Sequence, residues 1–142
     1  MARRLFDGVA GSYEGPAQAF SLFQYRGWHR NLVSRLTLGP DSSVLDVCTG
    51  TGLVAMKIAR SAACRVVGID LSEAMIEQAR GSIRSSASAE HVALVTGRAE
   101  SPPFADGSFD AVVFTFLLRY VDDPQSTVRE LARVLRPGGQ MA

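Results

Sequence analysis

Short apolar runs alternate with stretches of helical periodicity from Ser43 to the end of the chain. Four of the runs are typical of buried strands and cover residues 44–47, 65–70, 91–96 and 109–115. Their nearly unbroken apolar character indicates a sheet that is covered on both faces. Because helical stretches alternate with the runs, the pattern predicts βαβ units, a parallel sheet and right-handed crossovers.

Three helices are expected to pack against this sheet. Ser72 is a plausible N-cap for the second helix, and Asp123 followed by Pro124 is a favourable start for the third. Each helix carries apolar residues at three- and four-residue spacing. These residues are Val54, Ile58, Ala59 and Ala62, then Met75, Ile76, Ala79 and Ile83, then Val128, Leu131, Ala132 and Leu135. The Pro-Gly-Gly sequence at 137–139 is expected to end the third helix.

A segment before the first strand has a different character. Residues 18–36 look helical and would pack beside the sheet. The apolar face of this helix comprises Trp28, Leu32, Val33 and Leu36. We therefore divide the chain into an N-terminal helical lid or cap segment, residues 1–36, and a ligand-binding α/β domain, residues 37–142.

The composition indicates an ordinary single domain. The chain has 142 residues, and its net charge of +1 favours neither nucleic acid nor an anionic membrane surface as a partner. Two cysteines are too few for a disulfide scaffold, and the cysteines and histidines lack the spacing of metal ligands. No apolar run approaches the roughly 20 residues that a membrane span needs. These features predict a soluble, cytoplasmic protein without a metal site.

The chemistry is expected where the parallel strands end. Ligands of open α/β sheets bind beyond the carboxyl ends of the strands. Here those ends carry residues 46–52, then Asp70 and Leu71, then residues 97–100 and 116–121. All four segments should therefore line one crevice.

The first of these loops favours a cationic adenosine ligand over a pyrophosphate. Gly50 and Gly52 allow a sharp turn and a close approach of backbone to ligand. A dinucleotide fingerprint would need glycine where Cys48 and Ala55 stand, and no lysine is present for a P-loop. Asp70 ends the next strand, the position from which a carboxylate accepts hydrogen bonds from ribose hydroxyls.

Four motifs in this order resemble the class I S-adenosylmethionine-dependent methyltransferases. They are Asp46-Val-Cys-Thr-Gly-Thr-Gly52, Val-Gly-Ile-Asp70-Leu-Ser, Pro103-Phe-Ala-Asp-Gly-Ser-Phe-Asp110 and Val134-Leu-Arg-Pro-Gly-Gly139. The resemblance implies a Rossmann-like doubly wound sheet, S-adenosylmethionine as the cofactor and a small-molecule methyl acceptor. The cofactor-binding residues it implies are Asp46, Cys48, Thr49, Gly50, Gly52, Asp70, Leu71, Ala99 and Phe116. Cys48 replaces a glycine of the family motif.

A narrower resemblance is to the ubiquinone/menaquinone biosynthesis C-methyltransferases. Leu5-Phe6-Asp7-x-Val9-Ala10-x-x-Tyr13 is similar to their entry motif, and Leu118-Arg119-Tyr120-Val121 to their Leu-Arg-Asn-Val. The resemblance implies carbon methylation of a quinol or phenol-like acceptor. It points to Arg119 as the partner of an acceptor oxyanion, and His29 lies where the family often has a histidine. Tyr120 and Arg98 depart from the family pattern.

Plainer interpretations of the same residues stay open. Asp46 could only cap the helix that follows it, and His29 and Arg119 could lie on the surface. Cys48 is more simply a small residue in a tight turn than a nucleophile. Arg129, Arg133 and Arg136 are most simply a solvated helix face, and Asp110 would only end a turn before the fourth strand.

The end of the chain suggests further alternatives. Family members continue past Pro-Gly-Gly into a fifth strand and an antiparallel pair, so the sheet is expected to be incomplete here. The fourth strand would then be an uncovered edge, which predicts a homodimer formed by edge pairing or segment exchange, or else a marginal, aggregation-prone monomer. The alternative function is a truncated, non-catalytic module that binds the cofactor or a partner chain. A nucleotide-linked oxidoreductase is disfavoured by the missing third glycine.

Overall fold

The computed structural model describes residues 31–115 and 117–142. Its centre is a five-stranded sheet in the order β3-β2-β1-β4-β5, and every neighbouring pair of strands is parallel. The strands are β1 Ser43–Val47, β2 Arg65–Asp70, β3 Val92–Thr96, β4 Phe109–Phe114 and β5 Leu135–Met141. The helices are α1 Leu53–Ala62, α2 Glu73–Arg84 and α3 Pro124–Val134, with a 3-10 turn at Leu117–Arg119. The predicted α/β fold with a parallel sheet is confirmed, and the first four strands match their predicted ranges to within one residue.

Successive residues of the central strands supply two cores, one on each face of the sheet. Val44 of β1 packs on one face with Ile58 of α1. Leu45 of β1 and Val112 of β4 pack on the other face with Leu131 of α3. All five side chains are fully buried. The unbroken apolar runs in the sequence therefore reflect strands with helices on both sides.

Two helices begin at the residues that the sequence indicates. The Ser72 hydroxyl accepts a hydrogen bond from the Met75 amide at 3.4 Å, and the Asp123 carboxylate accepts one from the Ser126 amide at 3.0 Å. Pro124 follows Asp123 in the first turn of α3, where its missing N–H costs nothing. No helix within the described ranges is long and apolar enough to cross a membrane.

The described end of the N-terminal segment packs on the α1 side of the sheet. Residues 31–34 are helical. Leu32, Val33 and Leu36 contact the core that contains Ile58. The remainder of the predicted lid segment, residues 1–30, lies outside the described residues, and so does His29.

The third helix is shorter than predicted, because a fifth strand follows it directly. Pro137 disfavours helical geometry at Arg136, the residue before it. The backbone is already extended at Leu135, with ψ of 136°. β5 pairs with β4 from Phe109↔Leu135 to Val112↔Met141, and a register shift between these pairs accommodates the Pro-Gly-Gly residues. The helix-ending residues therefore lie within an interrupted strand.

This strand overturns the prediction of an uncovered β4 edge. Beyond the last ladder pair, the Ala142 amide donates to the Val112 carbonyl and the Phe114 amide donates to the Ala142 carbonyl, each at 3.0 Å. In the part of the chain that the structure describes, the sheet edges are β3 and β5. The homodimer was predicted from an exposed β4 edge, and β5 covers that edge.

Arg133 does not belong to a solvated helix face, contrary to the sequence interpretation. Its guanidinium donates to the Phe104 carbonyl and to Asp106 at 2.8 Å each, and to the Pro102 carbonyl at 3.3 Å. A further bond at 3.0 Å joins it to Glu130 on its own helix. Arg133 therefore fastens α3 to the loop that precedes β4.

Asp110 and Arg136 form a second tie that the sequence interpretation missed. The Asp110 carboxylate accepts from the Ser43 amide at 2.7 Å and from the Arg136 guanidinium at 2.6 Å. These bonds connect the first residue of β1 to β4 and β5. The Ser43 hydrogen bond, followed by the hydrogen bond and charge of Arg136, holds the pKa of Asp110 below its usual range. Asp110 is thus more than the end of a turn.

We expect Arg133→Ala to lower the free energy of unfolding more than Arg129→Ala does, because it removes the hydrogen bonds to the Phe104 and Pro102 carbonyls. Arg129→Ala is the matched control, because Arg129 is exposed one turn earlier on the same helix. Urea unfolding followed by circular dichroism measures both. Equal stabilities of the two variants would show that the Arg133 contacts do not stabilise the fold, as expected for a solvated helix face.

Candidate functional site

The segments predicted to share a crevice meet at one edge of the sheet. The register pairs Val47 with Ile69 and with Phe114, and it pairs Asp70 with Thr96. The carboxyl ends of β1 to β4 therefore lie side by side. The glycine loop, Asp70, residues 97–100 and the turn after β4 all extend from this edge.

The glycine loop after β1 alternates in backbone conformation. Cys48, Gly50 and Gly52 have positive φ values of 58°, 54° and 78°, whereas Thr49 and Thr51 between them do not. Such alternation turns successive N–H groups toward one concave side. A Cβ at Gly50 would meet no atom of the described residues within 4 Å, so these residues leave the space over the middle of the loop open. The loop can therefore lie directly beneath a ligand.

Cys48 occupies a backbone conformation that suits glycine. A left-handed non-glycine residue costs about 1–3 kcal/mol, and the neighbouring turn must supply that energy. Cys48 is exposed at the surface. Desolvation by the neighbouring loop, followed by the charges of Asp70, Asp46 and Glu100, raises the pKa of its thiol to about 12. The thiol is thus protonated at neutral pH, which fits a small turn residue and not a nucleophile.

Asp46 lies beneath the loop, and only 3% of its surface is exposed. The Thr49 hydroxyl donates to its carboxylate at 2.6 Å. The Ala55 amide, in the first turn of α1, forms a second hydrogen bond with it. Gly52, the N-cap of α1, has no side chain to cap the helix, so Asp46 supplies this cap from the neighbouring strand. Asp46 therefore caps the helix that follows it, as the plainer sequence interpretation has it, and also holds the glycine loop through Thr49.

The environment of Asp46 opposes its ionisation. Burial raises its pKa from 3.8 to about 7, the Asp70 charge adds to this, and the Thr49 and Ala55 hydrogen bonds only partly offset it. The folded protein then binds more protons at Asp46 than the unfolded chain does between pH 4 and pH 7. Its contribution to stability is greatest below pH 4 and declines as the pH rises to 7.

We expect Asp46→Asn to remove this pH dependence, since the amide keeps an acceptor oxygen but does not titrate. The difference in unfolding free energy between variant and parent should shift in favour of the variant by up to ~4 kcal/mol from pH 4 to pH 7. Urea unfolding across this range measures the difference. Two parallel curves would show that Asp46 titrates normally in the fold.

Asp70 is held by backbone donors on both of its oxygens. The Gly50 amide donates to Oδ2 at 2.8 Å, and the Ser72 amide donates to Oδ1 at 3.0 Å. Each carboxylate oxygen can accept a further hydrogen bond. The carboxylate is half-buried at the end of β2. It is therefore fixed in orientation, with acceptor capacity left for a ligand.

The remaining predicted residues have different surroundings. Leu71 is exposed beside Asp70, and Ala99 is buried in the core on the α3 side of the sheet. Arg119 is exposed at the end of the 3-10 turn, with no ion-pair partner among the described residues. Phe116, like His29, lies outside the described residues.

An apolar rim borders this edge of the sheet, and the sequence analysis missed it. Four large hydrophobic residues are exposed in the described part of the chain, and all of them follow β1, β2 or β4. This apolar rim consists of Leu53, Leu71, Leu118 and Tyr120. Periodicity does not reveal it, because these residues belong to loops and element ends.

Gly68 is another feature of this edge that the sequence analysis did not single out. It lies within β2 and pairs with Asp46 in the register. The signal that could have found it is a glycine inside a buried strand, which often marks a close approach of other atoms.

Within residues 31–115 and 117–142, no group of three or more His, Cys, Asp or Glu side chains could hold a metal ion.

Comparison with protein families shows which family the chain belongs to. A family described as "Methyltransferase domain" matches residues 45–142, which include the glycine loop, Asp70 and all the strands from β2 onward. The chain belongs to this methyltransferase family. The match agrees with the class I methyltransferase resemblance that the motifs carry.

Within this family, the chain is similar to methyltransferases named for menaquinone and ubiquinone biosynthesis. The chain is 36% identical over 140 residues to a demethylmenaquinone methyltransferase of Symbiobacterium thermophilum, covering 97% of this chain and 56% of that protein. It is 34% identical over 141 residues to a ubiquinone/menaquinone biosynthesis C-methyltransferase of Geotalea daltonii, covering 98% of this chain and 60% of that protein. The chain thus spans little more than half the length of these relatives.

A solved methyltransferase has the same fold. The geranyl diphosphate C-methyltransferase of Streptomyces coelicolor A3(2), in complex with Mg²⁺, geranyl diphosphate and S-adenosyl-L-homocysteine, matches with a TM-score of 0.77. The identity is 26%, and the match covers 82% of this chain and 42% of that one. The similarity supports a Rossmann-like methyltransferase sheet in this chain.

Proposed function

We propose that this chain is the cofactor-binding part of an S-adenosylmethionine-dependent methyltransferase that acts on a quinol or phenol-like small molecule. One observation carries the proposal. The described residues leave the space over Gly50 in the glycine loop open, and the Gly50 amide orients the Asp70 carboxylate. A backbone concavity beside a fixed acceptor fits a ligand with an adenosine part and a charged methionine part.

The residues present fit this cofactor. Asp70 has acceptor capacity for the ribose hydroxyls, and Leu71 beside it can flank the adenine. Residues 48–52 would lie beneath the methionine part, and the negative charges of Asp70 and Glu100 suit a cation. When bound, S-adenosylmethionine supplies a methyl group on a positively charged sulfur. The chain's own contribution is then to orient both reactants and to exclude water.

The acceptor side of the site favours an apolar aromatic substrate. The apolar rim offers hydrophobic contact at the mouth of the site. The two relatives described above carry menaquinone and ubiquinone in their names. A quinol with an apolar substituent combines an electron-rich ring, which carbon methylation needs, with a surface that the rim can bury.

Arg119 is the proposed partner of the acceptor's oxyanion. It extends from the turn after β4 at the same edge as the glycine loop, and its guanidinium is exposed. A fixed positive charge there would stabilise the phenolate form of the acceptor, which activates the ring carbon. His29 stays a candidate for taking the proton from the acceptor hydroxyl, and residues 1–36 stay a candidate lid.

We expect Asp70→Ala to weaken binding of S-adenosylhomocysteine at least tenfold, since each lost hydrogen bond to the carboxylate is worth roughly 1.5–3 kcal/mol. Isothermal titration calorimetry measures the affinity. Asp70→Asn keeps one acceptor oxygen and should give an intermediate value. Asp41→Ala, at an exposed carboxylate before β1, is the control. Unchanged affinity in a folded Asp70→Ala protein would exclude Asp70 from the site.

We expect Arg119→Ala to slow methyl transfer to a short-tailed naphthoquinol about 10²-fold, the scale of losing an oxyanion partner. Affinity for S-adenosylhomocysteine should change little, and Arg119→Lys should recover part of the rate. Product mass and rate measure the outcome. Equal turnover in parent and Arg119→Ala would make Arg119 a surface arginine. Cofactor binding without any turnover would favour the non-catalytic module.

A further inference from the structure

The side chain of Thr49 points down from the glycine loop onto the sheet. It is 7% exposed, and its hydroxyl donates to Asp46 Oδ2 at 2.6 Å. Its amide donates to the Ile69 carbonyl at 3.1 Å, and its carbonyl accepts from the Gly52 amide at 2.9 Å. Thr49 is therefore the point at which the loop is attached to both β1 and β2.

The space that receives this side chain exists because residue 68 is a glycine. A Cβ at Gly68 would lie 2.7 Å from Thr49 Oγ1 and 2.9 Å from Thr49 Cγ2. It would also lie 2.9 Å from Leu94 Cδ2. The leucine end can rotate away, but the branched Thr49 side chain is restricted in χ1 and hydrogen-bonded. Any side chain at position 68 therefore has to displace Thr49.

Displacement of Thr49 would move the part of the loop that faces the open space. Gly50 follows Thr49 directly, and its amide donates to Asp70 Oδ2 at 2.8 Å. A loop this short cannot shift at Thr49 and keep the Gly50 bond unchanged. The orientation of the Asp70 carboxylate thus depends on a contact on the far side of the loop.

We propose that Gly68 and Thr49 form a socket that positions the glycine loop and Asp70 for cofactor binding, which makes both of them positioning residues. The inference rests on the proposed function for its ligand. The socket itself is a property of the free protein. The two can therefore be tested separately.

Amide hydrogen exchange by NMR tests the socket without ligand. Gly68→Ala should speed exchange of the Gly50 amide at least tenfold while the Leu45 amide in β1 stays unchanged. Gly81→Ala is the matched control, because a Cβ at Gly81 would meet no atom within 4 Å in the part of the chain that the structure describes. Uniformly faster exchange in the core, or an unchanged Gly50 amide, would overturn the inference.

A double-mutant cycle tests the coupling to the ligand. Gly68→Ala should weaken binding of S-adenosylhomocysteine at least tenfold in the parent, but less than threefold in a Thr49→Ala background, where the socket is empty. An equal loss in both backgrounds would overturn the coupling. If the parent does not bind this ligand, the proposed function fails, and the exchange measurement still decides the socket.

A second pair of variants keeps the test valid if Gly68→Ala does not fold. Thr49→Ala should also speed exchange of the Gly50 amide at least tenfold. Thr49→Ser, which keeps the hydroxyl that bonds Asp46, should recover most of this loss. Parent-like exchange in Thr49→Ala, or no recovery in Thr49→Ser, would show that Thr49 does not position the loop.

Discussion

The buried carboxylate of Asp46 joins the central strand of the sheet to the glycine loop and to α1. It belongs to β1, and it holds the Thr49 hydroxyl and an amide in the first turn of α1. The glycine loop lies between these two contacts, so its path is set at both ends. The loop in turn orients Asp70 through the Gly50 amide. One group under the loop therefore holds the loop and, through it, the Asp70 carboxylate.

The burial of this carboxylate opposes its ionisation. Burial penalises the charge more than its two hydrogen bonds stabilise it, which is why the pKa is raised to about 7. Replacing it by an apolar residue would leave the Thr49 hydroxyl and a helix amide without a buried acceptor, at a cost of roughly 1–3 kcal/mol each. The residue thus trades stability near neutral pH for a fixed loop, as functional sites often do.

The parts of the structure that follow from local sequence were predictable. Four strands, the caps at Ser72 and Asp123 and the glycine-loop motif all express short-range patterns of apolar residues and turn residues. β5 was not predictable in this way, because Pro137 and two glycines interrupt it and its pairing with β4 compensates for them. The ties of Arg133 and the socket at Gly68 join residues distant in sequence, so no local pattern encodes them. Two of the four sequence motifs, at residues 46–52 and 67–72, lie at the carboxyl ends of β1 and β2 and form part of the site.

A crystal structure of the chain with S-adenosylhomocysteine tests the central claim most directly. The account predicts ribose hydroxyls within hydrogen-bonding distance of the Asp70 carboxylate, the amino acid part over residues 48–52, and Thr49 still bonded to Asp46. A ligand bound elsewhere on the sheet would contradict it. So would a loop that rearranges so that Thr49 leaves the surface of Gly68 when the ligand binds.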